Sequence, residues 1–118
     1  MKRSLFALSA VAIAVVLAGC GKKADEEVVV KIGHVGPTSG EIAHLGKDNE
    51  YGARLAIDEL NAKGVTLGGK KVRLELLAED DAGDPKQGTA AAQKLCDAKV
   101  AGVVGHLNSG TTLPASKV

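Results

Sequence analysis

The chain has 118 residues and a formal net charge of +1, with one tyrosine, one phenylalanine and no tryptophan. A nearly neutral chain lacks the basic footprint of a nucleic-acid-binding protein, and it has too few aromatic side chains to form a platform on which bases could stack. These features exclude nucleic acid as an expected partner.

The amino-terminal segment has the pattern of an export signal. Lys2 and Arg3 precede a run from Leu5 to Leu17 that is apolar or small apart from one serine, which is the layout of a secretory signal peptide. The run is too short to cross a bilayer, because a spanning helix needs about twenty residues. We therefore expect residues 1–19 to be a signal peptide, and its removal changes the formal charge from +1 to −1.

The apolar run ends in the letters LAGC, which resemble the end of a bacterial lipoprotein signal. In such signals the cysteine, here Cys20, becomes the lipid-bearing first residue of the mature protein. Acyl chains would hold it at a membrane surface, because each buried methylene contributes about 0.8 kcal/mol. The alternative is a simple secretory signal with a chance cysteine.

Lipidation of Cys20 would leave Cys96 as the remaining cysteine of the chain. We therefore predict no disulfide, and we expect Cys96 to pack as a small apolar side chain. The short charged segment 20–27 that follows the signal is predicted to be a tether.

The folded part is predicted to begin with a strand and a helix. From Val28 the letters VVVKIGHVG form a β-branched run that ends in glycine, which is typical of a strand buried on both faces. After a turn at Gly36–Gly40, the spacing predicts a helix from about Gly46 to Ala62 that ends at Gly64. The residues expected on its inner face are Ala53, Ala56, Ile57 and Leu60.

A second strand and a second helix follow. The alternation in VRLELLAED predicts a strand with one wetter face, nearer the edge of a sheet. Asp84 is predicted to cap a helix that runs to about Ala98, with Pro85 in its first turn and Gln87 completing a capping box. The inward residues of this helix are predicted to be Ala91, Ala92 and Leu95. The apolar run 100–105 is predicted to be a third, buried strand.

The alternation of strands and helices predicts an α/β fold. Two right-handed crossover units place the three strands in a Rossmann-like parallel sheet of order 2-1-3. Ligands of such sheets bind beyond the carboxyl ends of the strands, where the strand order reverses. Two loops are expected there, Gly36 to Leu45 after the first strand and His106 to Thr112 after the third.

The sequence does not have the patterns expected of an enzymatic or cofactor site. The glycines of GHVGPTSG do not have the spacing of a dinucleotide-binding or phosphate-binding loop. The acidic residues Glu79, Asp80 and Asp81 could hold a metal, but such a cluster more often solvates a loop. Ser109 has His106 near it in sequence but lacks the G-x-S-x-G elbow of a nucleophile. We predict no catalytic residue, no metal and no cofactor.

The second loop is suited to an anion. Ser109 and Thr111 offer hydroxyls at the expected start of a third helix, with Pro114 in its first turn, and a helix start attracts a carboxylate through its free amides and its dipole. The alternative is that Ser109 or Thr111 only caps the helix. Apolar Leu45 in the other loop could contact a non-polar part of the ligand, so a small zwitterion with an apolar side chain fits both loops.

From Val30 to Ser116 the chain resembles the periplasmic leucine/isoleucine/valine-binding proteins, the solute receptors of branched-chain amino acid ABC importers. The matching stretches are KIGHVGPTSGEIAHLG, GARLAIDELNAKG, LAEDDAGDPKQGTAAAQKL and VVGHLNSGTTLPAS. The resemblance implies a type I periplasmic binding protein with two lobes that close on an amino acid and deliver it to permease subunits. It also implies a location in the periplasm or at the cell surface, with lipid on Cys20 as the membrane anchor.

The resemblance also implies roles for individual residues. Ser109 matches the serine whose hydroxyl meets the ligand carboxylate, and Leu107 and Asn108 lie beside it in the pocket wall. Leu45 falls where some members place a tyrosine against the ligand side chain, which leaves side-chain selectivity open. Gly83 and Asn108 replace a disulfide-linked cysteine pair that some members have.

Because members of that family are several times longer, the resemblance implies that residues 28–118 form only the first part of an amino-terminal lobe. The alternative function is a sensor of the same fold that binds amides or other small metabolites and acts through a regulatory partner. The lipoprotein signal favours transport, since a cytoplasmic regulator has no use for it.

Overall fold

A computed structural model describes residues 27–118, so the predicted signal peptide and Cys20 lie outside the described residues. The elements are β1 (Val28–Gly36), α1 (Ala43–Lys63), β2 (Val65–Leu67), β3 (Lys70–Asp80), α2 (Pro85–Asp97), β4 (Val103–Val104) and α3 (Ser109–Ala115). They form one sheet of order β2-β3-β1-β4, in which β1 is parallel to both β3 and β4. The predicted α/β fold and the order of its three parallel strands are confirmed.

The sheet has one strand more than the sequence analysis predicted. β2 pairs antiparallel with β3 through a two-residue turn at Gly68 and Gly69. Both glycines have positive φ, 56° and 78°, and Gly-Gly is a favoured sequence for a two-residue hairpin turn because such turns need this conformation. The Gly-Gly pair therefore indicates a hairpin, and not only a turn before a strand.

The apolar core lies between β1 and α2. Val35, Ala91 and Leu95 are buried together, and Leu77 of β3 packs against them. A Cβ atom built on Gly33 would lie 2.7 Å from Cδ1 of Leu95, so the close approach of α2 to β1 requires a glycine here. The prediction that Ala91 and Leu95 point inward is confirmed by their burial.

The third predicted strand is shorter and more exposed than expected. β4 contains only Val103 and Val104, whose exposed fractions are 45% and 51%. It lies at the edge of the sheet formed by the described residues, and an edge strand lacks a neighbour on one side. The expectation of a buried strand over 100–105 is therefore wrong for this structure.

Helix α1 is longer at its amino end than predicted, and its inner face is partly different. Gly46 and Ile57 are its buried residues, whereas the predicted inner residues Ala56 and Leu60 are exposed. The side chain of Asn61 takes a place on the inner face, where its Oδ1 accepts from the amide of Leu74 at 2.8 Å and its Nδ2 donates to the carbonyl of Leu74 at 2.9 Å. A polar side chain is thus used to bind the helix to β3.

Helix α2 begins where its capping sequence predicts. The carboxylate of Asp84 accepts hydrogen bonds from the amides of Lys86 at 3.0 Å and Gln87 at 2.9 Å. The amide of Asp84 donates to the carbonyl of Asp81 at 2.8 Å, so the backbone takes the place of the predicted return bond from Gln87. Cys96 is exposed on this helix and does not pack as a core residue, which corrects the sequence-based expectation.

Candidate functional site

Three loops leave the carboxyl ends of the parallel strands and meet at Gly83. They are the β1–α1 loop (37–42), the β3–α2 loop (81–84) and the β4–α3 loop (105–108). A Cβ atom built on Gly83 would lie 3.7 Å from Nδ2 of Asn108 and 4.0 Å from Cδ1 of Ile42. With a φ of +71°, Gly83 adopts a conformation that favours glycine. The β3–α2 loop therefore lies between the β1–α1 loop and the β4–α3 loop, the two loops predicted to flank a ligand.

Asp80 holds the β1–α1 loop. Its Oδ1 atom accepts hydrogen bonds from the backbone amides of Thr38 at 2.8 Å, Ser39 at 3.3 Å and Ala82 at 2.8 Å. Burial alone would raise the pKa of the Asp80 carboxyl, but hydrogen bonds from Ser39, Ala82 and Thr38 lower the pKa below its usual value. The carboxylate at the end of β3 thus accepts hydrogen bonds from backbone amides of the β1–α1 loop and the β3–α2 loop.

Asp81 holds the β4–α3 loop. This side chain has no exposed surface, and its Oδ2 lies 2.8 Å from Nδ1 of His106, whose side chain is also buried. The other oxygen, Oδ1, accepts from the amide of Gly83 at 2.9 Å. Both carboxylate oxygens therefore have partners, as a buried carboxylate requires.

The acidic cluster consequently has a different role from the one expected. Glu79 forms a surface ion pair with Lys94, with 3.0 Å between Oε2 and Nζ. Asp80 and Asp81 instead accept hydrogen bonds from residues of the surrounding loops. Within residues 27–118 no group of three or more potential metal ligands comes together. The sequence contained one relevant signal, since aspartate before Ala-Gly favours turns in which the carboxylate accepts a nearby amide.

The start of α3 is organised around the backbone of Asn108. The carbonyl oxygen of Asn108 accepts from the amides of Thr111 at 3.1 Å and Thr112 at 2.9 Å, and from their hydroxyls at 2.9 Å and 2.8 Å. Thr111 is fully buried, so its hydroxyl stabilises the β4–α3 loop and does not face solvent. Asn108 occupies the N-cap position without a side-chain capping bond, so neither Ser109 nor Thr111 is the cap. Pro114 lies inside the helix and not in its first turn.

The remaining predicted ligand contacts are exposed near this edge of the sheet. Ser109 is exposed at the first position of α3, and Leu107, just before it, is 37% exposed. Leu45 is 44% exposed in the first turn of α1, where its amide donates to the carbonyl of Ile42 at 3.0 Å. The structure thus places Leu107, Asn108 and Ser109 where the β4–α3 loop enters α3, and Ile42 and Asn108 both lie within about 4 Å of a Cβ atom added to Gly83.

A buried histidine lies beneath the same edge of the sheet. His34 of β1 is 1% exposed, and its Nδ1 atom has no hydrogen-bond partner in the described part of the chain. Burial lowers the pKa of His34 below its usual value, while the carboxylate of Glu50 opposes and the guanidinium of Arg54 reinforces this shift. The imidazole is therefore held in its neutral form as part of the packing between β1 and α1.

None of the helices described within residues 27–118 combines the length and the apolar character needed to cross a membrane.

Residues 29–118 match the family described as periplasmic binding proteins. The chain is 45% identical over 89 residues to the Leu/Ile/Val-binding protein BraC3 of Rhizobium johnstonii, which covers 75% of this chain and 23% of that protein. It is 43% identical over 98 residues to the leucine-specific-binding protein of Salmonella typhimurium, which covers 83% of this chain and 25% of that protein. The chain thus spans about a quarter of the length of these curated relatives.

Solved structures show the same fold. A branched-chain amino acid transporter substrate-binding protein, LivJ from Streptococcus pneumoniae in complex with isoleucine, superposes with a TM-score of 0.66 at 34% identity, covering 74% of this chain and 24% of that one. An ABC transporter solute-binding protein from Rhodopseudomonas palustris in complex with 3,4-dihydroxybenzoic acid has a TM-score of 0.63 at 29% identity, covering 75% and 23%.

Proposed function

The chain belongs to the periplasmic binding protein family, and we propose that it is the first part of the amino-terminal lobe of an extracytoplasmic solute receptor that serves an ABC importer. In this proposal residues 28–118 supply one wall of a cleft between two lobes. The solute is a small amino acid with a branched aliphatic side chain. The protein binds its solute without chemical change and delivers it to permease subunits.

The observation that carries the proposal is the exposure of Ser109 at the start of α3, at the carboxyl edge of the sheet. Its neighbours Thr111 and Thr112 use their hydroxyls on the carbonyl of Asn108, whereas the exposed Ser109 can donate its hydroxyl to a solute. A carboxylate is a fitting acceptor, since hydrogen bonds to charged groups are stronger than those between neutral groups. Leu107 and Leu45 are exposed apolar side chains available for contact with a non-polar part of the solute.

The relatives support the choice of solute. A leucine-specific-binding protein and a Leu/Ile/Val-binding protein each match three quarters or more of this chain, and the similar Streptococcus pneumoniae protein holds isoleucine. A branched aliphatic side chain would bury its methyl groups against leucine side chains. Such burial contributes about 25 cal/mol for each Å² of apolar surface removed from water.

An aromatic carboxylate is a second candidate solute. The structurally similar Rhodopseudomonas palustris protein holds 3,4-dihydroxybenzoic acid. An aromatic acid and an amino acid share a carboxylate, so both could use Ser109 in the same way. They differ in the ammonium group, which only the amino acid carries.

Calorimetric titration of the full-length protein with leucine, isoleucine, valine and 3,4-dihydroxybenzoate tests the proposal. We expect saturable binding of at least one of the three amino acids and much weaker binding of the benzoate. Binding of the benzoate alone would favour the second candidate, and binding of neither class would contradict both.

The membrane anchor is a separate part of the proposal. We propose that Cys20 carries lipid and that segment 20–27 tethers the folded lobe to the membrane. The intact mass of the mature protein from the membrane fraction tests this directly. A mass that begins at Cys20 with added acyl groups supports the anchor, and an unmodified mass from the soluble fraction contradicts it.

A further inference from the structure

Asp81 and His106 form a buried ionisable pair that joins the loop before α2 to the loop before α3. Neither residue is among those proposed to contact the solute. Asp81 has no exposed surface, and its Oδ2 lies 2.8 Å from Nδ1 of His106. An ionised carboxylate has no proton to donate, so in a bond to the Asp81 carboxylate the Nδ1 atom of the imidazole is the donor. The pair therefore determines which ring nitrogen of His106 is protonated and how the ring is oriented.

Helix α2 packs against the imidazole of His106. A Cβ atom built on Gly88 would lie 3.4 Å from Cε1 of His106 and 3.1 Å from Cβ of Thr111. These distances show that α2 packs closely at Gly88 against both His106 and Thr111, and the His106 side chain is only 6% exposed. The ring has little freedom to reorient while its bond to Asp81 is intact.

The backbone of His106 leads directly into the residues proposed to meet the solute. The hydroxyl of Thr112, which donates to the carbonyl of Asn108 at 2.8 Å, makes a longer second contact of 3.4 Å with the carbonyl oxygen of His106, and Ser109 follows three residues after His106 in the chain. A displacement of the His106 backbone would therefore be passed on to the start of α3. Asp81 itself belongs to the β3–α2 loop and comes two residues before Gly83, where an added Cβ atom would lie 3.7 Å from Nδ2 of Asn108.

We propose that Asp81 is a positioning residue for the solute site. Acting through His106, it holds the backbone of residues 107–112 in the orientation that presents the hydroxyl of Ser109. This inference rests on the proposed function for its consequence on solute affinity. Its consequence for the shape of the loop does not depend on which solute binds.

Two variants of Asp81 distinguish positioning from a general contribution to folding. Asp81→Ala removes both acceptors, and we expect the amide resonances of Ser109 and Gly110 to shift in the solute-free protein. Amino acid affinity should fall about tenfold or more, because hydrogen bonds to charged groups are among the strongest in proteins. Asp81→Asn can still accept from Gly83 and can donate to a His106 ring that carries its proton on Nε2.

The asparagine variant therefore has a spectroscopic signature. Long-range proton–nitrogen NMR of the full-length protein should show the His106 proton on Nδ1 in the wild type and on Nε2 in Asp81→Asn. We expect this variant to recover most of the affinity lost in Asp81→Ala, together with amide resonances of Ser109 and Gly110 close to those of the wild type. A purely structural role would not link recovery of affinity to a change of tautomer.

Glu79→Gln is the matched control, because Glu79 lies two residues before Asp81 and its partner Lys94 is at the surface. We expect that variant to leave both the affinity and the resonances unchanged. If Asp81→Ala does not fold, His106→Phe removes the same bond from the other side and should shift the same resonances.

Two results would overturn the inference. One is a folded Asp81→Ala or His106→Phe variant whose Ser109 and Gly110 resonances match those of the wild type. The other is full affinity in Asp81→Ala where the wild type binds an amino acid. If the wild type binds no amino acid, the proposed function fails, but the resonances still decide whether Asp81 positions the loop.

Discussion

The carboxylate of Asp80 accepts a hydrogen bond from the backbone amide of Thr38 at 2.8 Å, although the two residues are 42 positions apart in the chain. Thr38 lies in the loop after β1 and Asp80 is the last residue of β3. Because β1 and β3 are parallel neighbours, their carboxyl ends meet at the same edge of the sheet. One side chain can therefore fix the position of a loop that belongs to another strand.

The lowered pKa of Asp80 predicts an effect of acid on stability. Since its pKa is lower in the folded protein than the usual 3.8, the free energy of unfolding contributed by this group is present above that value. The contribution is lost as the pH falls through 3.8 towards the lowered pKa. We expect Asp80→Asn to have a weaker dependence of its thermal midpoint on pH in this range than the wild type. Asp58→Asn, at an exposed position of α1, is the control and should keep the full dependence.

The close approach of Gly46 to Pro37 predicts a strong effect of a single methyl group. A Cβ atom on Gly46 would clash with the carbonyl oxygen of Pro37 and would lie 2.9 Å from its nitrogen. We expect Gly46→Ala to lower the free energy of unfolding by about 1–3 kcal/mol, as overpacking does. Gly52 lies on the same helix with nothing within 4 Å of its added Cβ, so Gly52→Ala should stabilise the protein by about 0.5–1 kcal/mol. Equal effects of the two substitutions in urea unfolding would contradict the packing described.

The N-cap of α2 predicts a difference between two aspartates of one helix. Asp84 accepts hydrogen bonds from two backbone amides at the amino end, whereas Asp97 lies at the carboxyl end and accepts a hydrogen bond from the side chain of Gln93 at 2.9 Å. We expect Asp84→Ala to lower the free energy of unfolding by about 1 kcal/mol. Asp97→Ala removes the same charge and should have little effect, since an anion at a helix carboxyl end is unfavourable. Chemical unfolding of both variants measures the difference.

Burial of His34 predicts a second effect of pH, in a higher range. The unfolded chain binds a proton at His34 as the pH falls through about 6.5, but the folded protein does so only at lower pH because its pKa is lowered. The free energy of unfolding should therefore decrease as the pH falls from 6.5. His34→Leu removes the titrating group and should weaken this decrease, whereas the exposed His44→Leu should not. An identical decrease in both variants would show that other groups cause it.

Local sequence chemistry accounts for much of the fold. The start of α2 is predictable because Asp84 acts on amides two and three residues away. The end of α1 is predictable because Gly64 supplies the positive φ that favours helix termination. The alternation of strands and helices also predicted that the loop with Ser109 lies at the carboxyl edge of the sheet, where the structure places the start of α3.

The contacts that shape the candidate site are long-range and were not predictable from local pattern. Asp81 reaches His106 across 25 positions, and its burial depends on two neighbouring loops. Periodicity also could not show that Ala56 and Leu60 face solvent while Asn61 bonds to β3. In each case the register between two elements decides the role of the side chain, and this register appears only in the folded structure.

The central claim concerns the hydroxyl of Ser109, and Ser109→Ala measured beside Ser116→Ala tests it most directly. Ser116 is the matched control because its hydroxyl donates to the carbonyl of Leu113 at 2.9 Å, at the other end of α3. Calorimetric titration of the full-length variants with the amino acid bound by the wild type gives the affinities, and thermal unfolding verifies the fold. We predict a loss of about ten- to a hundredfold in affinity for Ser109→Ala, an unchanged thermal midpoint, and wild-type affinity for Ser116→Ala. Equal affinity of Ser109→Ala and the wild type would contradict the assignment of Ser109 as the residue that binds the solute carboxylate.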